Sequence, residues 1–476
     1  MRNLISACRR TGWLLLLFSA IATAQPLRLD MAVFAARRAA FSLKMDSNAV
    51  AIFPSKPVYL RNLDIDYPYR QESNFYYLSG FEEPHSLILL NPRAAKYKYI
   101  LFVQRRNARR ETYEGRRAGI GGAMETFRAD TAFYIDQFSE QIRKILPDSR
   151  KIYYTFGINP EFDRQMRELF IERRSRSNWP IEDPGPLVAQ LRLIKNEGDF
   201  RMGLEKAVEI SARAHIEAFK SIEPGMYERE VQAVFEYVFR KMGSPRNGYA
   251  CIIGSGPNSC ILHYDTNTRQ MKDGDVVLMD CAAEYGYYSA DITRTVPVNG
   301  RFSREQKQIY QIVLNAQNAA IEMVKPGVVK TELDQKINNI LGEGLFRLGF
   351  LKDKKDFKIF TLHGYAHWIG LDVHDVGGYF REGKSYILQP GMVFTVEPGI
   401  YIRPEIFQSM KDIGYSDDDI AEIKQKIKPY MNIGVRIEDD ILVTGAGHRN
   451  LSAAVPREIS KIEKMMRKTG IGNIKF

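Results

Sequence analysis

Two aspartates in the segment DCAAEYGYYSADITRT lie where their side chains should meet. If Tyr285 and Gly286 form a two-residue hairpin loop, Asp280 and Asp291 become direct cross-strand neighbours on one face. A slip of the register by two residues keeps them on that face, because strand side chains alternate with a period of two. Like charges about 4 Å apart in a partly buried site repel strongly. The pair therefore needs a shared proton or bound cations, unless one aspartate turns to solvent.

Two more acids lie at positions suited to the same chemistry. Glu397 ends the apolar strand MVFTV and precedes Pro398, so its carboxylate lies at a strand end. Glu438 lies in NIGVRIEDDILVT, a predicted alternating strand on which Arg436, Glu438 and Asp440 share one side. Both glutamates are therefore candidate metal ligands beside the aspartate pair.

Histidine is scarce in the chain, yet it is concentrated in the same region. Four of the seven histidines, His263, His363, His367 and His374, lie within 112 residues. His363 and His367 are four residues apart, which on a helix would place them on one face, although Gly364 argues against a regular helix. A single histidine here would more often be a core residue with a satisfied hydrogen bond. Four histidines beside four strand acids favour a metal site.

Such a set of residues is typical of a two-metal hydrolytic centre, in which carboxylates bridge cations about 3.5–4 Å apart. Oxygen-rich ligation with one imidazole favours manganese, with cobalt or zinc as alternatives. Two such ions would lower the pKa of a shared water, present hydroxide at neutral pH and polarise the scissile carbonyl. The remaining histidines and Arg436 could then hold the oxyanion and the substrate backbone.

The regions that must position these residues divide into two domains. Residues 25–180 alternate helical and strand patterns, and the proline-rich segment NWPIEDPGP then predicts a linker. Residues 187–455 form the second domain, and the basic tail 456–476 predicts a surface helix. In the first domain we predict strands at Phe75–Ser79, Ser86–Leu90, Tyr97–Val103 and Lys151–Phe156, and helices at Arg28–Leu43 and Glu161–Arg174.

The second domain contains a faint internal repeat. A helix at Glu197–Ser221 ends at a Pro-Gly pair before another helix, and the helix Arg304–Val324 repeats this pattern about a hundred residues later. Each helix pair leads to a glycine and an apolar strand, which ends in an acid six residues after the glycine. These acids are Asp280 and Glu397. The repeat predicts two related halves that face each other, with the acids at their meeting point.

The first 24 residues predict an export signal. Arg2, Arg9 and Arg10 precede the apolar stretch Trp13–Ala22, and the sequence ATA then matches a small-residue cleavage site. The stretch is short compared with the roughly 20 residues that span a bilayer. An uncleaved membrane anchor is the alternative. We expect a periplasmic or secreted protein without a stable membrane anchor.

Composition is that of a globular protein with two or three domains: 476 residues, 45% hydrophobic and 26% charged. The formal charge of +11 falls to +8 without residues 1–24, which carry three arginines and no acid. The densest basic run, Arg105–Arg117, favours a solvated face or subunit contact over an anion or nucleic-acid patch, so no nucleic-acid partner is expected. Three irregularly spaced cysteines remain after the leader, which predicts no disulfide framework.

The segments DCAAEYGYYSADITRT, HGYAHWIGLDVHDVG, TVEPGIY and GVRIEDDILVT resemble the signature blocks of aminopeptidase P, in the pita-bread metallopeptidase superfamily. In the first domain, YRQESNFYYLSGFEEP and ETYEGRRAG resemble blocks of the same family. The resemblance covers nearly the whole mature chain and implies an α+β protein. It would have a pita-bread catalytic domain with a pseudo-twofold repeat, preceded by a smaller mixed α/β domain.

The resemblance also implies an activity and its ligands. The family cleaves the bond between an N-terminal residue and a following proline, at a dinuclear site that usually holds manganese. The implied metal ligands are Asp280, Asp291, His367, Glu397 and Glu438. Asp291 and Glu438 would bridge both ions, Asp280 would bind one, and His367 and Glu397 would bind the other. Glu397 would also carry the proton from the water to the leaving proline nitrogen.

Further residues match positions around the family's cleft. His263, His363 and His374 match histidines that line the substrate cleft and stabilise the tetrahedral intermediate, and Arg436 matches an arginine near the site. Tyr113 falls where relatives often carry a tryptophan that reaches a neighbouring subunit, which implies a homo-oligomer, a dimer or tetramer.

Three features depart from the family pattern. Cys281-Ala282 stands where small residues such as Ala-Gly are usual, and little effect is expected because the side chains remain small. Ala366 replaces a common Ser or Thr beside His367. The segment between Glu397 and Glu438 is longer than in compact relatives, with an extra helix predicted near residues 417–428.

Three alternatives remain open. A prolidase, restricted to Xaa-Pro dipeptides, would use the same ligands and differ in whether the cleft is closed beyond proline. A methionine aminopeptidase is disfavoured, since the large first domain belongs to the proline-directed branch. An inactive pita-bread module that binds peptides would have lost ligands, and all five are present here.

Overall fold

The computed structural model describes residues 30–146, 150–173, 180–381 and 383–473. The predicted export signal, residues 1–24, lies outside this part of the chain. Among the described residues, no helix has the length and apolar character needed to cross a membrane. Helices and strands are mixed along the chain, as the predicted fold class requires.

A six-stranded mixed sheet organises the first part of the chain. The strand Leu87–Leu90 is antiparallel to both of its neighbours, and the other three strand pairings of the sheet are parallel. Helices Met31–Lys44 and Ser73–Ser79 cover one face, and helices Phe138–Ile145 and Pro160–Arg173 cover the other. Strands covered on both faces read as continuous apolar runs, such as LILL and YILFV. In spatial order, the strands are Thr131–Tyr134, Tyr99–Val103, Leu87–Leu90, Ala49–Pro54, Lys151–Tyr154 and Ile181–Glu182.

One predicted strand of this region is wrong. Phe75–Ser79 belongs to the helix Ser73–Ser79, of which six residues are buried. The Phe75 amide donates a 2.7 Å hydrogen bond to the Glu72 carboxylate at the helix start, and Gly80 ends the helix in the left-handed conformation. Because the helix is buried nearly all round, its apolar pattern carries no helical period, and its aromatic residues favoured a strand.

Residues 180–186, the described part of the proline-rich segment NWPIEDPGP, are more structured than a linker. Ile181–Glu182 adds an edge strand to the first sheet. Helix Gly185–Leu193 starts inside the segment, with Pro184 at its N-cap and Pro186 in its first turn. Proline is tolerated there because first-turn amides have no partner within the helix.

The second part of the chain consists of two halves that repeat one order of elements. Each half has two helices joined through a Pro-Gly pair, followed by a three-stranded antiparallel sheet. The glycines at matching positions, two after the helices and two before the strands, all have φ between +83° and +96°. The first half contains Glu205–Ser221, Glu228–Lys241, Ile252–Ser255, Val276–Asp280 and Thr293–Pro297; the second contains Arg304–Met323, Lys330–Arg347, Val393–Val396, Asp439–Val443 and His448–Asn450.

The predicted helix Glu197–Ser221 is continuous but contains a π-helical turn at Phe200–Leu204. Gly203 lies in this turn, where an added Cβ would meet the Tyr285 carbonyl oxygen at 2.2 Å. The glycine thus lets the helix pack directly on the hairpin that follows Asp280.

The additional elements near the C-terminus pack onto the second half. The predicted extra helix is present as Asp417–Ile427, preceded by Ile406–Asp412. The Tyr415 hydroxyl donates to Asp356 (2.7 Å), which joins this segment to residues 354–359. The tail forms the predicted helix, Ile459–Met465, whose Ile462 is fully buried.

Two exposed elements project from the first sheet. The strands Leu60–Asn62 and Ile65–Asp66 form a solvent-exposed hairpin, and no residue of helix Ala108–Glu114 is buried. Other short elements are the α-helix Gly119–Glu125 and the strands Arg246–Asn247, Ala283–Tyr285, Tyr288–Ser289, Phe380–Arg381, Lys384–Ser385, Gly399–Tyr401 and Gly434–Arg436.

Candidate metal centre

The hairpin between the two aspartates has a different register from the predicted one. Its loop is Gly286-Tyr287, not Tyr285-Gly286, and both loop residues have positive φ (+57° and +70°), as type I′ turns require. Asp280 therefore pairs with Thr293 rather than with Asp291. The slip is two residues, so both carboxylates still lie on one side of the sheet.

A tyrosine that the sequence did not single out lies between these aspartates. The Tyr249 hydroxyl is 2.5 Å from Asp280 Oδ1 and 2.6 Å from Asp291 Oδ1. Burial and the charge of Asp280 raise the pKa of Tyr249, so the hydroxyl keeps its proton. The hydroxyl can donate its single proton to only one of the two carboxylates, so the facing oxygen of the other carboxylate needs a proton or a cation. Nothing in the segment NGYAC signals this contact.

Three predicted ligands meet at one point. Single ligand atoms of Asp291, His367 and Glu438 all lie within 4.8 Å of one another. His367 Nε2 is 3.3 Å from Asp291 Oδ2 and 3.9 Å from Glu438 Oε1. His367 Nδ1 is 3.2 Å from the Trp368 carbonyl, which can only accept, so a neutral ring carries its proton on Nδ1. The Nε2 lone pair then faces the carboxylates, as a metal ligand requires.

Glu397 completes the cluster from the second half of the repeat. It follows the strand Val393–Val396, and its Oε1 is 3.5 Å from His367 Nε2. The Thr395 hydroxyl donates to Oε1 (3.2 Å), and Oε2 lies 3.5 Å from His363 Nδ1. Burial, and then repulsion from Glu438, raise the pKa of Glu397 to about 8.

Glu438 lies at a break between two strands, which corrects the prediction of one alternating strand. The chain pairs as Gly434–Arg436, leaves the sheets at residues 437–438, and pairs again as Asp439–Val443. The Thr293 hydroxyl donates to Glu438 Oε2 (2.6 Å), which orients the carboxylate. Burial and the charge of Asp291 raise the pKa of Glu438 well above its ordinary value.

Arg436 is the cation beside these acids. Its Nη2 lies 2.5 Å from Asp280 Oδ2, and its Nη1 donates to the Tyr401 hydroxyl (3.0 Å). A further acid, Asp440, accepts a hydrogen bond from the Asp291 amide, while its other oxygen, Oδ1, is buried without a partner among the described residues. Burial and the charge of Asp291 raise the pKa of Asp440 as well.

The donor set fits divalent cations. Four carboxylates come together around one arginine, those of Asp280, Asp291, Glu397 and Glu438. Burial raises the pKa of Asp291, and repulsion from Asp280 raises it further. Buried carboxylates with too few cations are costly unless protons or metals compensate them. Oxygen-rich ligation with one imidazole suits hard or borderline divalent ions.

The other three candidate histidines of this region are His263, His363 and His374. His363 Nε2 is 2.7 Å from the Tyr401 hydroxyl, and burial followed by Arg436 lowers the pKa of His363 to about 4. The His374 ring centroid is 4.1 Å from that of His367, and burial lowers the pKa of His374. His263 is solvent-exposed, and it lies near enough to His363 and His374 to add to the lowering of the pKa of both. The region HGYAHW is not helical, as Gly364 indicated.

Four carboxylates around one imidazole, on the facing ends of two repeated halves, define a metal-dependent hydrolase of the pita-bread fold. The comparison with known families agrees. Metallopeptidase family M24 matches residues 203–445, and the aminopeptidase P N-terminal domain matches residues 34–153. The chain belongs to metallopeptidase family M24, in its aminopeptidase P branch, which confirms the family that the sequence blocks indicated.

Individual relatives cover almost the whole chain. The Xaa-Pro aminopeptidase of Haemophilus influenzae is 37% identical over 446 residues, covering 92% of this chain and 98% of that protein. The Xaa-Pro aminopeptidase of Escherichia coli is 36% identical, covering 91% and 97%. The structure of Pseudomonas aeruginosa aminopeptidase PepP superposes with a TM-score of 0.86 at 38% identity, covering 93% of this chain and 99% of that one. A human Xaa-Pro dipeptidase is 32% identical, covering 84% of each chain.

Proposed function

We propose that this chain is a metal-dependent Xaa-Pro aminopeptidase, which hydrolyses the bond between an N-terminal residue and a following proline. The observation that carries the proposal is the convergence of four carboxylates and His367 Nε2 at the meeting point of the two halves. The sequence relatives with higher identity are Xaa-Pro aminopeptidases, at 36–37%, and the human dipeptidase follows at 32%. An aminopeptidase is therefore favoured over a prolidase.

We assign the cation ligands to Asp280, Asp291, His367, Glu397 and Glu438. Two divalent cations bound there would lower the pKa of a water and polarise the scissile carbonyl. Manganese is our proposed metal, with cobalt or zinc as alternatives, because the donors are mostly carboxylate oxygens. A zinc-substituted E. coli aminopeptidase P has been solved with product, at 35% identity and a TM-score of 0.84.

The other residues of the cleft bind, orient and move protons. Glu397, positioned by the Thr395 hydroxyl and next to His363, would carry the proton from the attacking water to the proline nitrogen. His363 is neutral at pH 7, so it acts as a hydrogen-bond partner rather than a cation. His263, His374 and the Tyr401 hydroxyl, which Arg436 holds, would stabilise the oxyanion.

Two measurements test the proposal. Elemental analysis of the protein should find close to two transition ions per chain, and chelation should abolish hydrolysis. The peptides Xaa-Pro and Xaa-Pro-Xaa should then be compared as substrates. Cleavage of the tripeptide supports an aminopeptidase, cleavage of the dipeptide alone identifies a prolidase, and activity in metal-free protein would falsify the mechanism.

We also propose that the protein is a homo-oligomer and that it is exported. Tyr113 is 81% exposed on a helix without buried residues, and Leu63 is 94% exposed at the tip of the hairpin Leu60–Asp66, so both elements offer apolar contacts to a second copy. Export rests on the apolar stretch of the first 24 residues. N-terminal sequencing of protein from fractionated cells would test it, with a mature start near Gln25 in the exported fraction as the expected result.

A further inference from the structure

One arginine of the first domain contacts two segments of the second domain that flank the metal centre. Arg70 Nε donates to Glu284 (2.6 Å), which lies in the hairpin between Asp280 and Asp291. Arg70 Nη2 donates to the Leu371 carbonyl (2.5 Å), in the loop that leads from His367 to His374. A single planar guanidinium therefore joins the two segments.

The hairpin depends on the first domain for much of its support. Its strands, Ala283–Tyr285 and Tyr288–Ser289, are short, and the two-residue strand Arg246–Asn247 of the second domain completes a small three-stranded sheet with them. The Tyr287 ring stacks on the Tyr76 ring of the first domain, with centroids 3.6 Å apart and planes 12° from parallel. The Gln71 amide donates to the Tyr287 hydroxyl (3.2 Å), and Arg70 contacts the Tyr287 carbonyl (3.4 Å).

The loop of residues 370–375 is held by residues of both domains. The Ser73 hydroxyl donates to Asp372 Oδ1 (2.7 Å), and Arg192 donates to Asp372 Oδ2 (2.7 Å) and to Asp375. Lys195 pairs with the other oxygen of Asp375 (2.7 Å). Between Asp372 and Asp375 lies His374, so the loop's position sets where that histidine faces His367.

We propose that Arg70 is a positioning residue of the metal centre: its forked donors hold the aspartate hairpin and the histidine loop in one fixed arrangement. The proposal rests on the assignment of the cation ligands under the proposed function. Neutralising Glu284 is not the main role of Arg70, because Arg246 also pairs with Glu284 (2.6 Å). What Arg70 adds is a bridge between the two segments: its Nε binds Glu284 in the hairpin, while Nη2 of the same planar group binds the Leu371 carbonyl.

Two variants of Arg70 test the geometry. Arg70→Met removes the donors at similar length, and Arg70→Lys keeps the charge but loses the planar fork. Because Glu284 keeps Arg246, both variants are expected to fold. The control is Arg164→Met, which removes an exposed first-domain arginine that also has two carboxylate partners, Glu161 and Glu168.

The first readout is the affinity of metal-free protein for Mn²⁺, measured by calorimetric titration, and the second is kcat and KM at saturating Mn²⁺. We expect Arg70→Met to bind Mn²⁺ about 10-fold more weakly, at the lower end of the loss seen when groups that orient metal ligands are removed, because Arg70 acts on the ligands through the hairpin and the loop. We also expect a lower kcat with little change in KM, no rescue by Arg70→Lys, and wild-type values for Arg164→Met. A melting curve of each metal-free protein checks folding.

Wild-type Mn²⁺ affinity and kcat in Arg70→Met would overturn the proposal, and so would full rescue by Arg70→Lys, which would leave only a charge effect. If Arg70→Met does not fold, Ser73→Ala removes a neighbouring bond to the same loop and should show a smaller loss in the same direction; no loss there also overturns it. Failure of the proposed function is distinct, since wild-type protein would then bind no Mn²⁺ or cleave no Xaa-Pro bond.

Discussion

Asp280, Asp291, Glu397 and Glu438 bring four carboxylates to one largely buried place, where Arg436 pairs with Asp280. The cluster is therefore unfavourable by itself, and burial and mutual repulsion raise the pKa of Asp291, Glu397 and Glu438. Such a site binds protons when metal-free and exchanges them for cations. At the residue scale, the repulsion among these carboxylates is therefore what favours the binding of cations.

Replacing Glu397 by Gln should remove the proposed proton carrier while preserving the fold. We expect kcat on an Xaa-Pro-Xaa peptide to fall by about 10²–10⁴-fold, which is the usual contribution of a general acid–base group. The control is Glu405→Gln, since Glu405 is two-thirds exposed and should have wild-type activity. Full activity of Glu397→Gln would remove Glu397 from the mechanism.

The raised pKa of Glu397 predicts how the stability of metal-free protein depends on pH. Below a pH of about 8, folded protein holds a proton on Glu397 that the unfolded chain, with an ordinary pKa of 4.5, has released. The free energy of unfolding therefore falls as pH rises through this range. The window to measure is about pH 6.5 to 8, because the lowered pKa values of His215 and His363 act in the opposite sense below 6.5.

Thermal melts of chelator-treated protein should thus show a falling Tm between pH 6.5 and 8. In metal-free Glu397→Gln this fall should be smaller, because that side chain no longer titrates. In Mn²⁺-loaded protein the Tm should fall less than in metal-free protein, since cations replace the protons. A metal-free Tm that rises with pH across this window would contradict the assignment of the proton to this cluster.

At the element scale, close packing positions the hairpin that joins Asp280 to Asp291. The type I′ turn at Gly286-Tyr287 sets its register, and the π-helical turn at Phe200–Leu204 lies against its backbone. Gly203 permits this approach, because a Cβ there would lie 2.2 Å from the Tyr285 carbonyl oxygen. Because the helix backbone at Gly203 lies directly against the hairpin backbone at Tyr285, a displacement of the helix would displace the hairpin as well.

Gly203→Ala should displace the hairpin and with it the two aspartates. We expect a loss of about 1–3 kcal/mol in the free energy of unfolding, as overpacked sites show, together with weaker Mn²⁺ binding. The control is Gly121→Ala in helix Gly119–Glu125, where an added Cβ meets no atom within 4 Å and should be neutral or stabilising. Equal effects of the two substitutions would show that helix propensity, not the close contact, matters.

At the scale of the whole molecule, the first domain does more than precede the catalytic one. Arg37 of its first helix pairs with Asp199 and donates to the Tyr288 hydroxyl (2.7 Å), so a buried cluster links this helix to the aspartate hairpin. Metal binding in the second domain is therefore expected to depend on contacts from the first. The exposed apolar hairpin and helix of the first domain offer the further contacts of an oligomer.

Leu63→Asp tests the proposed oligomer. A charge at this 94%-exposed apolar tip should shift the mass measured by light scattering towards the monomer, because desolvating a carboxylate in an interface is costly. Leu43→Asp is the control, at an 89%-exposed leucine of helix Met31–Lys44 away from this hairpin in sequence. A wild-type protein that is monomeric at all concentrations would refute the oligomer itself.

The sequence by itself determined the family, through the resemblance of its sequence blocks. The repeat and the candidate ligands follow from local patterns: acids at the ends of apolar strands, a matched glycine before each, and histidines concentrated in one region. It predicted the wrong state for Phe75–Ser79, because a helix buried nearly all round has no periodic polar face. It also predicted the wrong loop, since Tyr287 adopts a positive φ that its type does not favour.

Only the tertiary structure decided the contacts between distant segments. The Tyr249 hydroxyl between Asp280 and Asp291, and the Arg70 bonds to Glu284 and Leu371, join residues that lie 31 to 301 positions apart. No pattern along the chain encodes such pairs, because periodicity reports only which face of an element is buried. Which side chain meets which across an interface depends on packing, turn conformation and register, and these are settled when the whole chain folds.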